Sequence, residues 1–394
     1  MSPPGTPPAM DVWVPVTEAS TPATSPSPSP ARYPGTLRSV AEWAAMFDDQ
    51  WAGERAQTET ASLSGDSWDH YNLSYSIDGL TAVYLATGRA DYVDEGLRLL
   101  ENVVSTAQRS ADLSSSNHRD GYRGWVSAQE NGREVPLYES YFWRYGAGLL
   151  RVVRQDARLW EDPARQARVG ALREFAEREV FEKWWTRGAE ENIYRSRTHM
   201  AAHWALIALE LSRITPDESR RQRYLSTVQA IDTDLPNAPS SLRGQLRFNP
   251  RHPAAYVWSD EWGRVGGRAQ DVSHGNAVIA YVVTANAAGS GWTDADMSRF
   301  VQTFTQAIWP AAPREGQPEG ADAVDGSGAG NGWFSDGFVK LGRFDPALLK
   351  RLETHDVGRS VQFAGNNALN AAILACRGIA PSAAPRSTPI CRSG

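Results

Sequence analysis

The stretch Thr198–Asp232, THMAAHWALIALELSRITPDESRRQRYLSTVQAID, decides the architecture. Its first half is apolar on nearly every face, so as a helix it has to be buried. After a short turn at Pro216 the second half is apolar on one side only and turns its other side to water. The same hairpin recurs at Tyr75–Gln108, Tyr138–Val180 and His274–Trp309, and a shorter pair spans Asp345–His355 and Asn366–Gly378. Such repeats bury their apolar helices only by stacking on one another. The long polar inserts Ser110–Glu134, Leu235–Gln270 and Ala311–Ser335 would decorate one rim and build a cleft. The expected fold is therefore all-α, an (α/α)6-7 toroid whose inner helices line a funnel, with an open α-solenoid as the competitor and little β structure. Within it, the periodicity of Leu37–Gly53 predicts a helix stopped by Gly53. In the next hairpin, Gly88 ends the first helix and Asp91 stands near the N-cap of the second.

Three segments follow from composition. Residues 1–35, rich in Pro, Ser and Thr, read as a disordered or PPII-like linker; 36–380 form the toroid; 381–394 form a C-terminal tail. No charged-then-apolar signal peptide is visible, yet such linkers often follow an export signal, so the expected location is secreted or periplasmic. Cys376 and Cys391 sit in no metal-binding or redox spacing, and either a disulfide or two thiols is allowed. The net charge of −6 argues against nucleic acid as a partner, and no apolar run long enough for a membrane span occurs. A monomer is expected. Fifteen tryptophans are an excess of the kind that lines sugar-binding grooves, which singles out Trp125, Trp258 and Trp262 as stacking positions.

Chemistry-bearing residues collect where inner helices begin. GRAQDVSHGN carries Asp271, Ser273, His274 and Asn276; ENIYRSRTHMAAH carries Asn192, Arg197, His199 and His203; SWDHYNLSY carries Asp69, His70, Tyr71 and Tyr75. A third element, LRFNPRHPAAYVWSDEW, holds Arg247, Arg251, Tyr256, Trp258 and Trp262 in one rim insert. His, Tyr, Arg and Asn together suit β-elimination of a uronate polymer. A base removes the C5 proton, an acid protonates the leaving oxygen, and a cation or amide holds the carboxylate as charge develops. A nearby Arg would favour tyrosinate. Arg187, Arg195, Arg197, Arg243, Arg247, Arg251, Arg119 and Arg123 either line an electropositive groove or pair with neighbouring acids.

RTHMAAHWAL, with Arg251…Tyr256 followed by DVSHGN, resembles the (α/α)-toroid polysaccharide lyases that act on alginate or glucuronan. The resemblance covers the hairpins across most of Thr36–Gly378. It implies His199 as base or carboxylate neutraliser, Tyr256 as acid and Arg251 or Arg247 as its activating partner, with an anionic polysaccharide as substrate and no cofactor or metal. One departure is Thr198, where those lyases commonly carry Asn before the histidine, so Asn192 or Asn276 would have to serve. His274 completes the expected catalytic set; Arg197, Arg247, Asn276, His70 and Tyr71 join the tryptophans as expected substrate contacts.

Three alternatives stand beside this reading. A toroid glycoside hydrolase would draw a carboxylate pair from Asp69, Asp78, Asp260, Glu261, Asp271 and Asp336. A metal site would use His199, His203 and His274, although HMAAH lacks the internal Glu of the metalloprotease motif. A non-catalytic carbohydrate-binding toroid would need only the aromatic loops.

Overall fold

The computed structural model describes residues 35–262, 267–311, 320–328, 330, 332–379 and 388–392. The expected linker, save its last residue, and most of the expected tail lie outside them. The longer helices are α1 (Val40–Ser62), α2 (Ser67–Thr87), α3 (Ala90–Thr106), α4 (Pro136–Gln155), α5 (Pro163–Phe175), α6 (Thr198–Ser212), α7 (Glu218–Thr233), α8 (Val272–Ala287), α9 (Asp294–Gln302), α10 (Pro346–Leu352) and α11 (Val361–Cys376). Strand structure among the described residues is confined to two antiparallel pairs, β1 (Gln108–Arg109) with β2 (Arg123–Gly124) and β3 (Arg247–Asn249) with β4 (His252–Val257). None of the helices is long and apolar enough to cross a membrane.

The packing closes a ring. α2 packs on α4, α4 on α6, α6 on α8, α8 on the 3-10 segment Phe338–Arg343, that segment on α11, and α11 back on α2. Outside them, α1 lies against α2 and α11, α3 against α2 and α4, α5 against α4, α7 against α6, α9 against α8, and α10 against the 3-10 segment and α11. Outer and inner elements alternate strictly along the chain, which makes the fold an (α/α)6 toroid rather than an open solenoid. Burial follows the sequence pattern: α6 is buried from Ala201 through Ser212, while α7 buries only Tyr224, Thr227, Val228, Ile231 and Asp232.

Two local expectations are revised. Gly53 does not end α1, which continues to Ser62. One glycine in a helix costs only about 1 kcal/mol, less than the burial of Trp43 and Phe47 on the same helix returns. Gly88 does end α2, in the left-handed region at φ 75°, but Arg89 is the N-cap of α3 and Asp91 lies inside its first turn. The seam between first and last inner helices depends on two other glycines: a Cβ on Gly365 would meet the carbonyl oxygen of Gly79 at 2.5 Å. Cys376 and Cys391 are joined in a disulfide that ties the segment Pro389–Arg392 to the end of α11.

The ring's axis is polar. Lys340 bonds both oxygens of Asp78 (2.7 and 2.6 Å) and Asn366 Oδ1 (2.9 Å). Gln362 bridges Asp78 and Asp336 at 2.8 Å each, and Arg144 Nη2 reaches Asp336 at 2.6 Å. Tyr145 also donates to Asp336. Isolated, these charges would be prohibitively costly to bury; paired, they tie α2 and α11 to α4 and the 3-10 segment.

Candidate active site

Inner helices running in one direction place their first turns around one cavity of about 160 Å³, lined by Tyr71, Tyr75, Leu137, Tyr141, His199, His203, Ser273, His274, Ala277 and Trp333. Four of those helices contribute residues at i, i+4 spacing: 71 and 75, 137 and 141, 199 and 203, 273 and 277. Such positions share one helix face, so each helix turns a single stripe toward the cavity. The positive ends of the helix dipoles face the same space.

His274 is the exposed member of the set. Asp271 caps α8, accepting from the His274 backbone N–H at 3.0 Å, and the same carboxylate lies 2.9 Å from His274 Nδ1. One residue thus starts the helix and orients the imidazole; the bond to the ionised carboxylate makes Nδ1 the donor and puts the ring's lone pair on Nε2. Burial raises the Asp271 carboxyl, but the ring and backbone bonds from His274 outweigh it and hold the group at about 2, so it is ionised.

His199 stacks on His274 with ring centroids 4.2 Å apart and planes at 29°. It is 4% exposed, its Nδ1 has no partner, and burial, reinforced by His274, lowers it to about 3. His203, one turn on, is fully buried; its Nδ1 lies 3.4 Å from Ser140 Oγ and its Nε2 has no partner. Burial holds it well below the ordinary imidazole range. Both rings are neutral at neutral pH.

Across the cavity stand three phenols. Tyr71 stacks on Tyr141 at 3.7 Å, the Tyr75 and Tyr141 hydroxyls are 2.9 Å apart, and Tyr141 donates to Asp336 at 3.4 Å. Burial raises all three phenols, which makes them proton donors rather than tyrosinates. Trp333, 40% exposed, meets Tyr75 edge-on at 5.5 Å. Together they form an apolar wall suited to the face of a sugar ring.

The structure brings His199, His274 and Tyr71 together and places the other expected site residues elsewhere. Tyr256 sits on β4, 6% exposed, and donates to Asp296 at 3.0 Å; burial and that carboxylate push it up to about 12, the reverse of an activated tyrosinate. It does not line the cavity. Arg251 is exposed at the turn of the β3–β4 hairpin, and Arg247 pairs across it with Val257. Asn192 is the last residue of the short helix Ala189–Asn192, and its amide donates to the Arg187 and Gly188 carbonyls. Asn276 is saturated, donating to Ser273 and Trp333 carbonyls and accepting from the Gly337 and Phe338 amides. Arg197 is held by Asp260 and Glu261. His70 bonds the Ser64 carbonyl at 3.0 Å and packs on Trp125; burial lowers it to about 4. Trp125, Trp258 and Trp262 are 2%, 0% and 7% exposed, so they pack the core rather than face a ligand. Tyr75, Tyr141, Ser273 and Trp333, none of them among the expected site residues, line the cavity instead.

The carboxylates weighed for a hydrolase are also dispersed. Asp78 and Asp336 are locked in the axial network, Asp260 and Glu261 hold Arg197, and Asp69 accepts from Ser64. Two of them touch cavity-lining side chains, Asp271 on His274 and the fully buried Asp336 on Tyr141. Among the described residues, no group of three His, Cys, Asp or Glu side chains is arranged to hold a metal ion. Arg187 pairs with Asp120 and Glu134, whereas Arg195 carries no ion pair among the described residues.

No family model matches the chain, and no curated protein does. Solved structures are similar to it at low identity. The family 88 glycosyl hydrolase from Bacteroides vulgatus is 13% identical with a TM-score of 0.46, over 85% of this chain and 99% of that one. The GH76A alpha-1,6-mannanase of Salegentibacter sp. HEL1_6 is 11% identical with a TM-score of 0.42, over 85% and 99%. An inactive variant of that mannanase in complex with alpha-1,6-mannotetrose is 12% identical, again with a TM-score of 0.42, over 86% and 99%. These are likenesses of helical architecture and assign no residue and no substrate to this chain.

Proposed function

We propose that the cavity is the active site of a carbohydrate-active enzyme that breaks a glycosidic bond by proton transfer, with His274 as base and Tyr75 as acid. The observation that carries this reading is the Asp271–His274 pair facing protonated phenols across one aromatic-walled cavity. His274 Nε2 takes a proton, Asp271 stabilises the imidazolium, and the Tyr75 hydroxyl gives its proton to the departing oxygen.

Two substrates for the base fit this arrangement. In hydrolysis, the proton comes from a water whose oxygen attacks the anomeric carbon; the ionised Asp271 at the cavity supports this route. In elimination, the proton comes from C5 of a uronate, the C4=C5 bond forms and the C4–O bond breaks. The Arg195 guanidinium, which has no carboxylate partner among the described residues and is near enough to His199 to act on its charge, supports this second route as a cation for the substrate carboxylate. The disulfide favours an exported enzyme.

Incubation with alginate, glucuronan and neutral glycans tests the reading. New reducing ends with ultraviolet absorbance identify elimination, and new reducing ends without it identify hydrolysis. Tyr75→Phe should lower either rate by roughly 10²-fold or more. No new reducing ends from any polymer would contradict the proposal and favour a binding protein.

A further inference from the structure

The histidine cavity, at about 160 Å³, falls short of the roughly 300–1,000 Å³ of pockets that enclose a drug-sized ligand. A glycan chain that enters it has to run out over the rim, and its next unit needs a surface there. The aromatic wall supplies one. Tyr71, which lines the cavity, stacks on Tyr141 at 3.7 Å and also on Trp68, with centroids 5.1 Å apart and planes at 14°. Trp68 and Tyr71 are three residues apart near the start of α2, so they are neighbours on one face of it. Tyr138, in the first turn of α4, meets both edge-on, 5.1 Å from Trp68 and 5.7 Å from Tyr71, and directly follows the cavity-lining Leu137.

Packing alone does not account for Trp68. The core indole of this corner is Trp125, which packs on His70, is 2% exposed and donates from Nε1 to Thr106 Oγ1 at 2.9 Å. Trp68 is only half-buried, and its indole N–H is not sealed from solvent and has no acceptor among the described residues. Two exposed polar side chains flank it. The Asn72 amide donates to the Trp68 carbonyl at 3.1 Å, and Glu130 accepts from the Tyr138 hydroxyl at 3.5 Å. An amphipathic ring with a free donor, set among polar groups, suits the apolar face and the hydroxyls of a sugar.

We propose that Trp68 and Tyr138 form a second sugar-binding subsite, which takes the unit of the glycan next to the one held in the histidine cavity. The inference rests on the reading of that cavity as an active site. It adds that the substrate is an oligosaccharide or polysaccharide rather than a single sugar with a small aglycone. The indole face covers the apolar face of the second unit, and the indole N–H donates to one of its oxygens. The subsite contributes binding and no proton transfer.

Two measurements on the full chain test it, both with the polymer that the wild-type protein cleaves among alginate, glucuronan and neutral glycans. Trp68→Ala should raise KM by roughly 3–10-fold, and Trp68→Tyr, which keeps an aromatic face, should recover most of that loss. Crystals of His274→Ala soaked in a short oligosaccharide of the same polymer should show one unit in the histidine cavity and the next against Trp68. Wild-type cleavage with an unchanged KM in Trp68→Ala, or an oligosaccharide that leaves the cavity away from Trp68, would overturn the subsite and leave the proposed reaction standing. No cleavage of any polymer by the wild-type protein would remove both. The crystallographic result needs no Trp68 variant, so it decides the matter even if Trp68→Ala does not fold.

Discussion

The imidazoles of His199 and His274, from the first turns of α6 and α8, lie face to face with centroids 4.2 Å apart. They differ in surroundings: His199 is sealed in, whereas His274 has 55% of its side chain exposed and a carboxylate on its Nδ1. The stacked pair divides the work. On the proposed reading, the buried ring supports and the exposed ring exchanges protons.

Asp271 has two duties that one substitution separates. Asn caps a helix about as well as Asp, so Asp271→Asn should leave Tm nearly unchanged. It removes the charge that stabilises the His274 imidazolium, and the rate of bond cleavage should fall by roughly 10²-fold or more. A comparable loss of Tm would show that the carboxylate serves the fold alone.

Stability should fall as the medium is acidified below the ordinary imidazole value of 6.5. Burial holds His70 at about 4 and His199 at about 3, with His203 shifted in the same direction. The unfolded chain takes up these protons as pH falls through 6.5, while the folded chain does not until the lowered values are reached. Stability is therefore fully present above 6.5 and is lost below it, by about 1.4 kcal/mol per pH unit for each such ring. Denaturant titrations between pH 7 and 4 measure the slope, and His70→Gln should make it shallower. A flat profile would contradict the burial of these rings.

The ring seam is sensitive to a single methyl group. In Gly365→Ala the new Cβ would press on the Gly79 backbone, which cannot move aside as a side chain can, so Tm should drop by the equivalent of about 1–3 kcal/mol. Gly170→Ala, in the outer helix α5, meets nothing within 4 Å and should stabilise by about 0.5–1 kcal/mol. Thermal denaturation of the two variants side by side checks both signs.

Much of this architecture was legible because burial leaves a plain periodic signature. The all-round apolar runs at 198–212 and 272–287 became inner helices, and the one-sided runs that follow them became outer ones. The inner element Phe338–Arg343 escaped because it is a short 3-10 segment flanked by Gly337 and present as no helical repeat. At the site, polar residues at helix entrances single out His199 and His274, which line one cavity. The i, i+4 rule that joined His199 to His203 also marks Tyr71 with Tyr75 and Leu137 with Tyr141, and applying it to every inner helix finds most of the cavity wall. Tyr256 misled because composition does not say which face of a strand a side chain takes. In β4 it turns toward Phe300 and Asp296 of the outer layer. The tryptophans misled because a large amphipathic ring fills a core as readily as it lines a groove: Trp125, Trp258 and Trp262 are all buried.

The most direct test compares His274→Ala with Tyr256→Phe on a polysaccharide that the wild-type protein cleaves, with Tm recorded for each. His274→Ala should reduce the rate by roughly 10²–10⁴-fold with Tm held. Tyr256→Phe should keep the wild-type rate and lose only the Asp296 hydrogen bond, about 1 kcal/mol of stability. Full activity in His274→Ala, or its collapse in Tyr256→Phe at unchanged Tm, would place the chemistry outside the histidine cavity.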